Sequence, residues 1–148
     1  MNEVSREIII AEQNSGGDGM PWSNISRFSE LVFLATKLKL DKKNVNVFSD
    51  RSLLDNIAYL KCAQKEIPQE LSLFPFHNYY HKRVFYAPSW SEIYEEDEQR
   101  LQRFEDHVFL SKHLKLAYKS AGFELIELPF TSVINRVDFV LSRVVKSF

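Results

Sequence analysis

The sequence is short of cysteine, of glycine and of long apolar runs. Its 148 residues include one cysteine, Cys62, and four glycines. A single cysteine excludes an internal disulfide, and no apolar run approaches the roughly 18 residues of a membrane-spanning helix. The amino-terminal residues also lack the basic and apolar pattern of a secretory signal. These absences predict a cytoplasmic protein without a membrane span.

An excess of charge of either sign is also missing. The chain has 19 basic and 20 acidic residues, a formal net charge of -1 at pH 7. Such a balance provides no general attraction to nucleic acid or to an anionic membrane, so any basic site must be local. At 45% hydrophobic and 26% charged, the composition is typical of one globular domain spanning residues 1–148.

The pattern GxxxxGK[ST] of a phosphate-binding loop occurs nowhere, although Gly16, Gly17 and Gly19 lie together. A phosphate loop follows a strand, opens a helix and carries a lysine, because backbone N–H groups, helix end and lysine together neutralise phosphate. The segment around Gly16 follows a helical pattern, contains Asp18 and has no lysine. We therefore interpret it as a loop between two helices.

Hydrophobic periodicity predicts helices alternating with strands. Helices are predicted over residues 3–13, 23–40, 53–63 and 97–120 and from Thr131 or Ser132 onward, with a helical stretch interrupted by Pro68 and Pro75. Either Ser23 or Asn24 caps the second helix. Strands are predicted over residues 45–49, 83–87 and 123–128. The order predicts an α/β fold with parallel strands, although three strands make a small sheet.

Several short segments occur in a characteristic order that is more specific than any one of them. They are residues 3–9, 16–18 with 21–22, 48–51 with 55 and 58–60, 83–85 with 88, 90–94, 97–104, and 127–129 with 133. With these segments the chain resembles, over nearly its full length, the small AAA-type P-loop ATPases related to nicotinamide-nucleotide-regulator (ribosylnicotinamide kinase-like) domains. The resemblance implies a partial P-loop nucleoside-triphosphatase fold, a three-layer sandwich with parallel strands. It also implies that a first strand and phosphate loop would precede Glu3, so we expect an amino-terminally truncated member.

The resemblance gives roles to residues at the end of predicted strand 45–49. Asp50 is the expected catalytic residue and Mg²⁺ ligand, and Arg51 is expected to bind an anionic substrate. The alternative is an acid that caps the next turn beside an exposed arginine. Glu3 and Arg6 are expected at the same edge, near the acceptor substrate. The alternative for them is a surface ion pair between positions i and i+3.

Residues 90–104 resemble a kinase lid, which closes over nucleotide and presents arginine to the transferred phosphoryl group. By this resemblance Arg100 is catalytic and Arg103 binds the nucleotide cofactor. Family members often have two adjacent arginines, whereas the second position here is Leu101. The alternative for the acidic residues 95–98 is a solvated helix start that favours the helix dipole.

Two weaker sites complete the candidates. Pro129 and Thr131, after the last predicted strand, are expected to contact the nucleotide base, although a strand-to-helix turn explains the same residues. His77 and His81 are four positions apart, but the glutamate of the zinc motif HExxH is missing, so a metal site there is disfavoured.

Two functions remain open. The first is an ATP- or GTP-binding ATPase or small-molecule kinase that uses Mg²⁺ and an unknown acceptor, with the isolated chain inactive because it lacks the phosphate loop. The second is a non-catalytic protein-interaction module derived from the same fold. An incomplete sheet exposes unpaired backbone groups, so we expect a homo-oligomer or a partner chain that completes it.

Overall fold

The computed structural model describes residues 3–42, 47–94 and 103–144. Over these residues the elements are α1 (Val4–Ser15), α2 (Ile25–Asp41), α3 (Leu53–Cys62), α4 (Gln69–Ser72), α5 (Phe76–Tyr79), β1 (Arg83–Tyr86), a 3-10 turn (Ser91–Ile93), α6 (Phe104–Ser120), β2 (Glu124–Glu127) and α7 (Val133–Val144). Each helix predicted from periodicity has a counterpart, which confirms the mainly helical α/β class.

The glycine-rich segment is a loop between α1 and α2, as predicted. Gly16 ends α1 with a φ of +70°, a conformation that glycine adopts without a Cβ penalty. The loop then folds onto Glu12, whose carboxylate accepts a hydrogen bond of 2.8 Å from the N–H of Gly19. A Cβ at Gly17 would overlap the same carboxylate. The loop is therefore closed around a side chain of α1.

Asn24 resolves the choice of cap for α2. Its side-chain oxygen accepts a hydrogen bond of 3.1 Å from the N–H of Arg27. Side-chain oxygens in this position satisfy one of the N–H groups that a helix start leaves without a helical partner. Ser23 is exposed and lies one residue before the cap.

The sheet of the described residues has two strands, β1 and β2, which pair in parallel as the sequence predicts. Arg83 pairs with Glu124 and Tyr86 with Glu127. The connection between the strands contains α6, which ends just before Gly122, where φ is +81°. The predicted end of this helix is therefore confirmed, because glycine at positive φ is a common helix terminator.

The core is built around α3, which packs between α2 and α6. Leu53, Leu54 and Leu60 are almost completely buried, and aromatic side chains from α2, the α4–α5 region and α6 surround them. A second, smaller cluster joins α1 to α2; its members are Val4, Ile9, Phe28 and Val32. The two clusters fix α1, α2, α3 and α6 relative to one another and so fix the side chains at their ends.

The prediction of a buried strand at 45–49 is wrong over its second half. Residues 47–49 have no regular secondary structure, and the side chains of Val47 and Phe48 are 41% and 59% exposed. Residues 45–46 lie outside the described residues. A strand is stable only when a neighbour pairs with it, and the described part of the sheet offers residues 47–49 no such partner.

The last helix, α7, forms as predicted but leaves its apolar stripe uncovered. Val133, Ile134, Val137 and Leu141 are between 45% and 75% exposed. The stripe is therefore largely exposed in the described part of the chain. Across residues 3–42, 47–94 and 103–144, no helix combines the length and hydropathy needed to cross a bilayer.

Candidate functional site

A cleft of about 490 Å³ lies between the carboxyl end of β1, the start of α1 and the start of α3. Its volume is within the range of ligand sites in proteins. Four residues predicted from sequence line it together, namely Glu3, Arg6, Asp50 and Arg51. Ala87, which follows β1, lines the same cleft, so these charged side chains lie at the carboxyl end of a parallel strand.

Glu3 connects the two arginines of the cleft. Its Oε1 lies 2.8 Å from Nε of Arg51, and its Oε2 lies 3.3 Å from Nε of Arg6. Glu3 is the N-cap residue of α1 but makes no capping hydrogen bond, since its carboxylate faces the arginines. The i,i+3 ion pair, which was the alternative to a substrate-binding role, is therefore present and is part of a larger cluster that reaches the start of α3.

Arg51 is held in an uncommon conformation. Its φ is +66°, in the left-handed region that non-glycine residues rarely adopt. Its guanidinium donates a hydrogen bond of 2.6 Å to the hydroxyl of Tyr59 and lies over that ring. Burial by itself lowers the pKa of Arg51, but interactions with Tyr59, Glu3 and Asp55 outweigh it and raise the pKa. Arg51 is thus a fixed, permanently cationic group.

A buried hydrogen-bond network lies next to Arg51, at the start of α3. Asp55 accepts hydrogen bonds from the N–H of Ser52 at 2.9 Å and from the hydroxyl of Tyr118 at 2.6 Å. Ser52 and Asp55 form the capping box of α3. Burial, followed by the charge of Asp55, raises the pKa of Tyr118. Burial also raises the pKa of Tyr80, to about 12. The network joins α3 to α6.

Asp50 differs from the other acids of the cleft. Its side chain is exposed, and within the described chain it has no hydrogen-bond or ion-pair partner. Ser52, not Asp50, is the N-cap residue of α3. An exposed carboxylate beside a ligand-sized cleft has the chemistry of an Mg²⁺ ligand, since Mg²⁺ is often held by one or two carboxylates together with water and phosphate.

The lid residues are only partly described. Arg100, the predicted catalytic arginine, and Leu101 lie outside the described residues, as do the acids at 95–98. Arg103 precedes α6, is 75% exposed and forms an ion pair of 3.6 Å with Asp106. Arg103 does not line the cleft. Its role in binding nucleotide stays a prediction.

The predicted base-contacting residues lie in a turn between β2 and α7. Thr131 accepts a hydrogen bond of 3.0 Å from the side chain of Asn135, and Ser132 accepts one of 3.3 Å from the N–H of the same residue. Neither Pro129 nor Thr131 is among the described residues that line the cleft. These contacts support the alternative of a strand-to-helix turn, and a role in base binding stays a prediction.

His77 and Cys62 have structural rather than catalytic surroundings. The Nε2 of His77 lies 2.8 Å from the carbonyl of Ala121, and its ring stacks on Phe123. His77 therefore binds the carbonyl end of α6. Burial, with a smaller effect of Asp106, raises the pKa of Cys62 and disfavours a thiolate. The described residues contain no group of three or more histidine, cysteine or acidic side chains able to hold a metal ion.

Sequence reasoning did not assign Asp55, Tyr59, Tyr118 or His107 to the site, yet all four line the cleft. The pattern Ser52-x-x-Asp55 before an apolar run is a capping-box signal and could have located Asp55. Tyr59 lies in the family-like segment 58–60 without an assigned role, and Tyr118 carries no local signal. Their positions follow from packing between α3 and α6 rather than from any motif.

The fold and the cleft define a class of protein, an α/β domain that gathers charged side chains at the carboxyl end of a parallel strand. A protein-family model described as AAA domain matches residues 1–136. The match covers most of the chain, and the chain therefore belongs to the AAA domain family, within the P-loop superfamily. No curated protein and no solved structure matches the chain.

Proposed function

We propose that this chain is a nucleotide-binding domain of the P-loop nucleoside-triphosphatase type, in which the mouth of the cleft binds the phosphate end of a nucleotide or its acceptor. One observation carries the proposal. Two pairs of charged residues that are distant from each other in sequence, Glu3 with Arg6 and Asp50 with Arg51, line one cleft at the carboxyl end of β1. Parallel α/β sheets bind their ligands at this end. Membership of the AAA domain family supports the same class.

Both arginines are held by Glu3. The Arg51 side chain is 32% exposed and also contacts Tyr59, so it provides a fixed positive potential. The Arg6 side chain is 35% exposed, and its Nε lies 3.3 Å from Glu3. A planar guanidinium binds phosphate through paired hydrogen bonds. Glu3 positions both cations, and an incoming phosphate would compete with it.

Asp50 is the residue we assign to Mg²⁺. Its carboxylate is exposed at the cleft and has no partner in the described chain, so it is available for a cation that also binds phosphate. When bound, Mg²⁺ would neutralise phosphate charge. Whether the nucleotide is ATP or GTP, and whether the acceptor is water or a small molecule as in a kinase, depends on base and acceptor contacts that the assigned residues do not include.

For the isolated polypeptide we expect no appreciable ATP hydrolysis. The 148 residues contain no GxxxxGK[ST], and this loop normally holds the triphosphate with its backbone N–H groups and lysine. The second candidate function, a non-catalytic protein-interaction module, is favoured by one observation. Within the described residues, β1 pairs with β2 alone and its other edge is open.

Nucleotide titration monitored by amide NMR tests the proposal. We expect Mg-ATP or Mg-GTP to bind weakly and to shift the amide signals of residues 49–51, 5–6 and 87. Replacing Arg6 by methionine should weaken binding at least about tenfold. The matched control is Arg136→Met, because Arg136 lies on α7 and does not line the cleft. Shifts confined to other surfaces, or equal losses in both variants, would refute the cleft as the nucleotide site.

A further inference from the structure

The peptide group that joins Arg51 to Ser52 is held by a side chain at each of its polar atoms. The hydroxyl of Ser49 donates a hydrogen bond of 2.8 Å to the carbonyl of Arg51, and the N–H of Ser52 donates one of 2.9 Å to the carboxylate of Asp55. The residue before this peptide, Arg51, has a φ of +66°. Such a backbone conformation persists only where the surrounding structure over-determines it. The two bonds therefore help to hold residue 51, and with it the direction of its side chain.

Tyr118, on α6, completes the hydrogen bonds around this peptide. Its hydroxyl donates at 2.6 Å to Oδ2 of Asp55, the same oxygen that accepts the N–H of Ser52. A hydroxyl has one proton to donate, so in the 2.7 Å contact between the hydroxyls of Ser52 and Tyr118 the donor is Ser52. Ser52 Oγ in turn accepts a hydrogen bond of 3.1 Å from the N–H of Leu54. The carboxylate that holds the peptide is thus itself held from α6.

Tyr118 is placed to hold Arg51 rather than to bind a ligand itself. Although it lines the cleft, Tyr118 is only 6% exposed, and its hydroxyl is occupied by Ser52 and Asp55. Its ring belongs to the main core cluster and contacts Phe123 edge to face, with 6.0 Å between the ring centroids. The core therefore fixes the ring, and the hydroxyl acts on the loop that carries Arg51.

We propose that Tyr118 is a positioning residue for Arg51: from α6, through Asp55 and Ser52, it holds the backbone of residue 51 so that the guanidinium faces the mouth of the cleft. The inference deepens the proposed function, on which it rests for the phosphate that Arg51 would bind. It implies a coupling between α6 and the phosphate site. Because such coupling is reciprocal, a change at position 118 lowers phosphate affinity, and bound phosphate strengthens the hydrogen bond between Tyr118 and Asp55.

NMR without nucleotide tests the positioning itself. A strong cross-peak between the amide proton and Hα of the same residue marks a positive φ, and we expect residue 51 to show one in the unaltered chain. In Tyr118→Phe this cross-peak should weaken, and the Nε–H of Arg51 should exchange faster with solvent, because the peptide loses a support.

Tyr80→Phe is the matched control for these signals. It also removes a partly buried tyrosine hydroxyl at the start of α3, one that accepts a hydrogen bond of 3.3 Å from the N–H of Leu53. That hydroxyl does not bond the peptide after Arg51. Both signals of residue 51 should therefore stay unchanged in Tyr80→Phe, and equal changes in Tyr80→Phe and Tyr118→Phe would contradict a specific role of Tyr118.

A double-mutant cycle with Mg-ATP tests the effect on binding. Tyr118→Phe should weaken binding at least about threefold, and Tyr80→Phe by less than about twofold. If Tyr118 acts through Arg51, its effect should vanish once Arg51 is replaced. Arg51→Met and the double variant with Tyr118→Phe should therefore bind Mg-ATP within about twofold of each other. Additive losses would mean that Tyr118 acts by another route and would overturn the proposal.

Failure of this inference is distinguishable from failure of the proposed function. If the unaltered chain does not bind Mg-ATP, the proposed function fails, and the NMR signals of residue 51 still decide whether Tyr118 positions it. If Tyr118→Phe leaves both signals unchanged, the positioning role is refuted even where nucleotide binds.

The unaltered chain provides the test if Tyr118→Phe does not fold. The hydroxyl proton of Tyr118 and the amide proton of Ser52 share one acceptor oxygen, so we expect a cross-peak between them. A Tyr118 hydroxyl that exchanges with water too fast to give this cross-peak would refute the positioning role.

Discussion

Glu3 Oε1 lies 2.8 Å from Nε of Arg51, and this ion pair joins the start of α1 to the residue that precedes the N-cap of α3. The carboxylate side chain is 17% exposed and that of Arg51 is 32% exposed, so the pair is shielded more than a surface salt bridge. It fixes Arg51 at the mouth of the cleft, in a backbone conformation that a side chain rarely adopts.

Arg51→Ala and Arg51→Gly separate the side-chain contacts of Arg51 from its backbone strain. Both variants lose the contacts with Glu3 and Tyr59, but only alanine keeps a Cβ at a φ of +66°. The left-handed conformation costs a non-glycine residue about 1 kcal/mol or more. We therefore expect Arg51→Gly to have the higher free energy of unfolding in urea, by roughly 1 kcal/mol. Equal stability of the two variants would show that position 51 is not held at positive φ.

Tyr118→Phe tests the buried network beneath the cleft. The change removes a donor at 2.6 Å from the Asp55 carboxylate, which is buried. Hydrogen bonds to charged groups contribute about 1.5–3 kcal/mol, and the unfolding free energy should fall by about that amount. Tyr79→Phe is the matched control, because its hydroxyl bonds Asp41 on the exposed surface and its loss should cost less than about 1 kcal/mol. Similar losses in both variants would contradict the network.

Asn24→Ala and Ser23→Ala test which residue caps α2. Only Asn24 accepts a hydrogen bond from Arg27 N–H, so Asn24→Ala should lower the unfolding free energy by about 1 kcal/mol. Ser23 is exposed, and its replacement should change stability by less than about 0.5 kcal/mol. Thermal or urea unfolding measures both. The opposite ranking would place the cap at position 23.

The helices were predictable because their signals are local. Apolar periodicity, a capping residue such as Asn24 and a terminator such as Gly122 lie within a few positions of the ends that they specify. The strand predicted at 45–49 has a similar local pattern, but Val47 and Phe48 are exposed, since pairing depends on a distant neighbour. The exposure of the α7 stripe was not predictable either, because amphipathicity does not say what covers the apolar face.

The cleft brings together two pairs that the sequence analysis singled out, Asp50 with Arg51 and Glu3 with Arg6. Their roles came from the family resemblance and stay predictions, and the strand expected before Asp50 is absent over residues 47–49. The bond between Asp55 and Tyr118 spans 63 positions and leaves no trace in local sequence. Tertiary packing of α3 against α6 creates it, and only the structure shows it.

Alkaline pH should weaken the fold through Tyr80. Burial raises the pKa of Tyr80 from 10.0 to about 12; the hydrogen bond from Leu53 opposes this rise and the charge of Asp55 adds to it. A raised pKa means that between pH 10 and 12 the folded state binds more protons than the unfolded state. The unfolding free energy contributed by Tyr80 is therefore fully present below about pH 10 and lost as the pH rises through about 12.

A rise of two pKa units corresponds to a contribution of at most about 3 kcal/mol from Tyr80 to the free energy of unfolding. Tyr80→Phe removes this titration, so urea unfolding of the variant should depend less steeply on pH between 10 and 12 than unfolding of the natural chain. Below pH 9 the two proteins should differ by a constant offset, which serves as the internal control, because Tyr80 is protonated there in both states. Parallel profiles up to pH 12 would mean that Tyr80 titrates alike in the folded and unfolded chains, and would place its hydroxyl in water rather than against the start of α3.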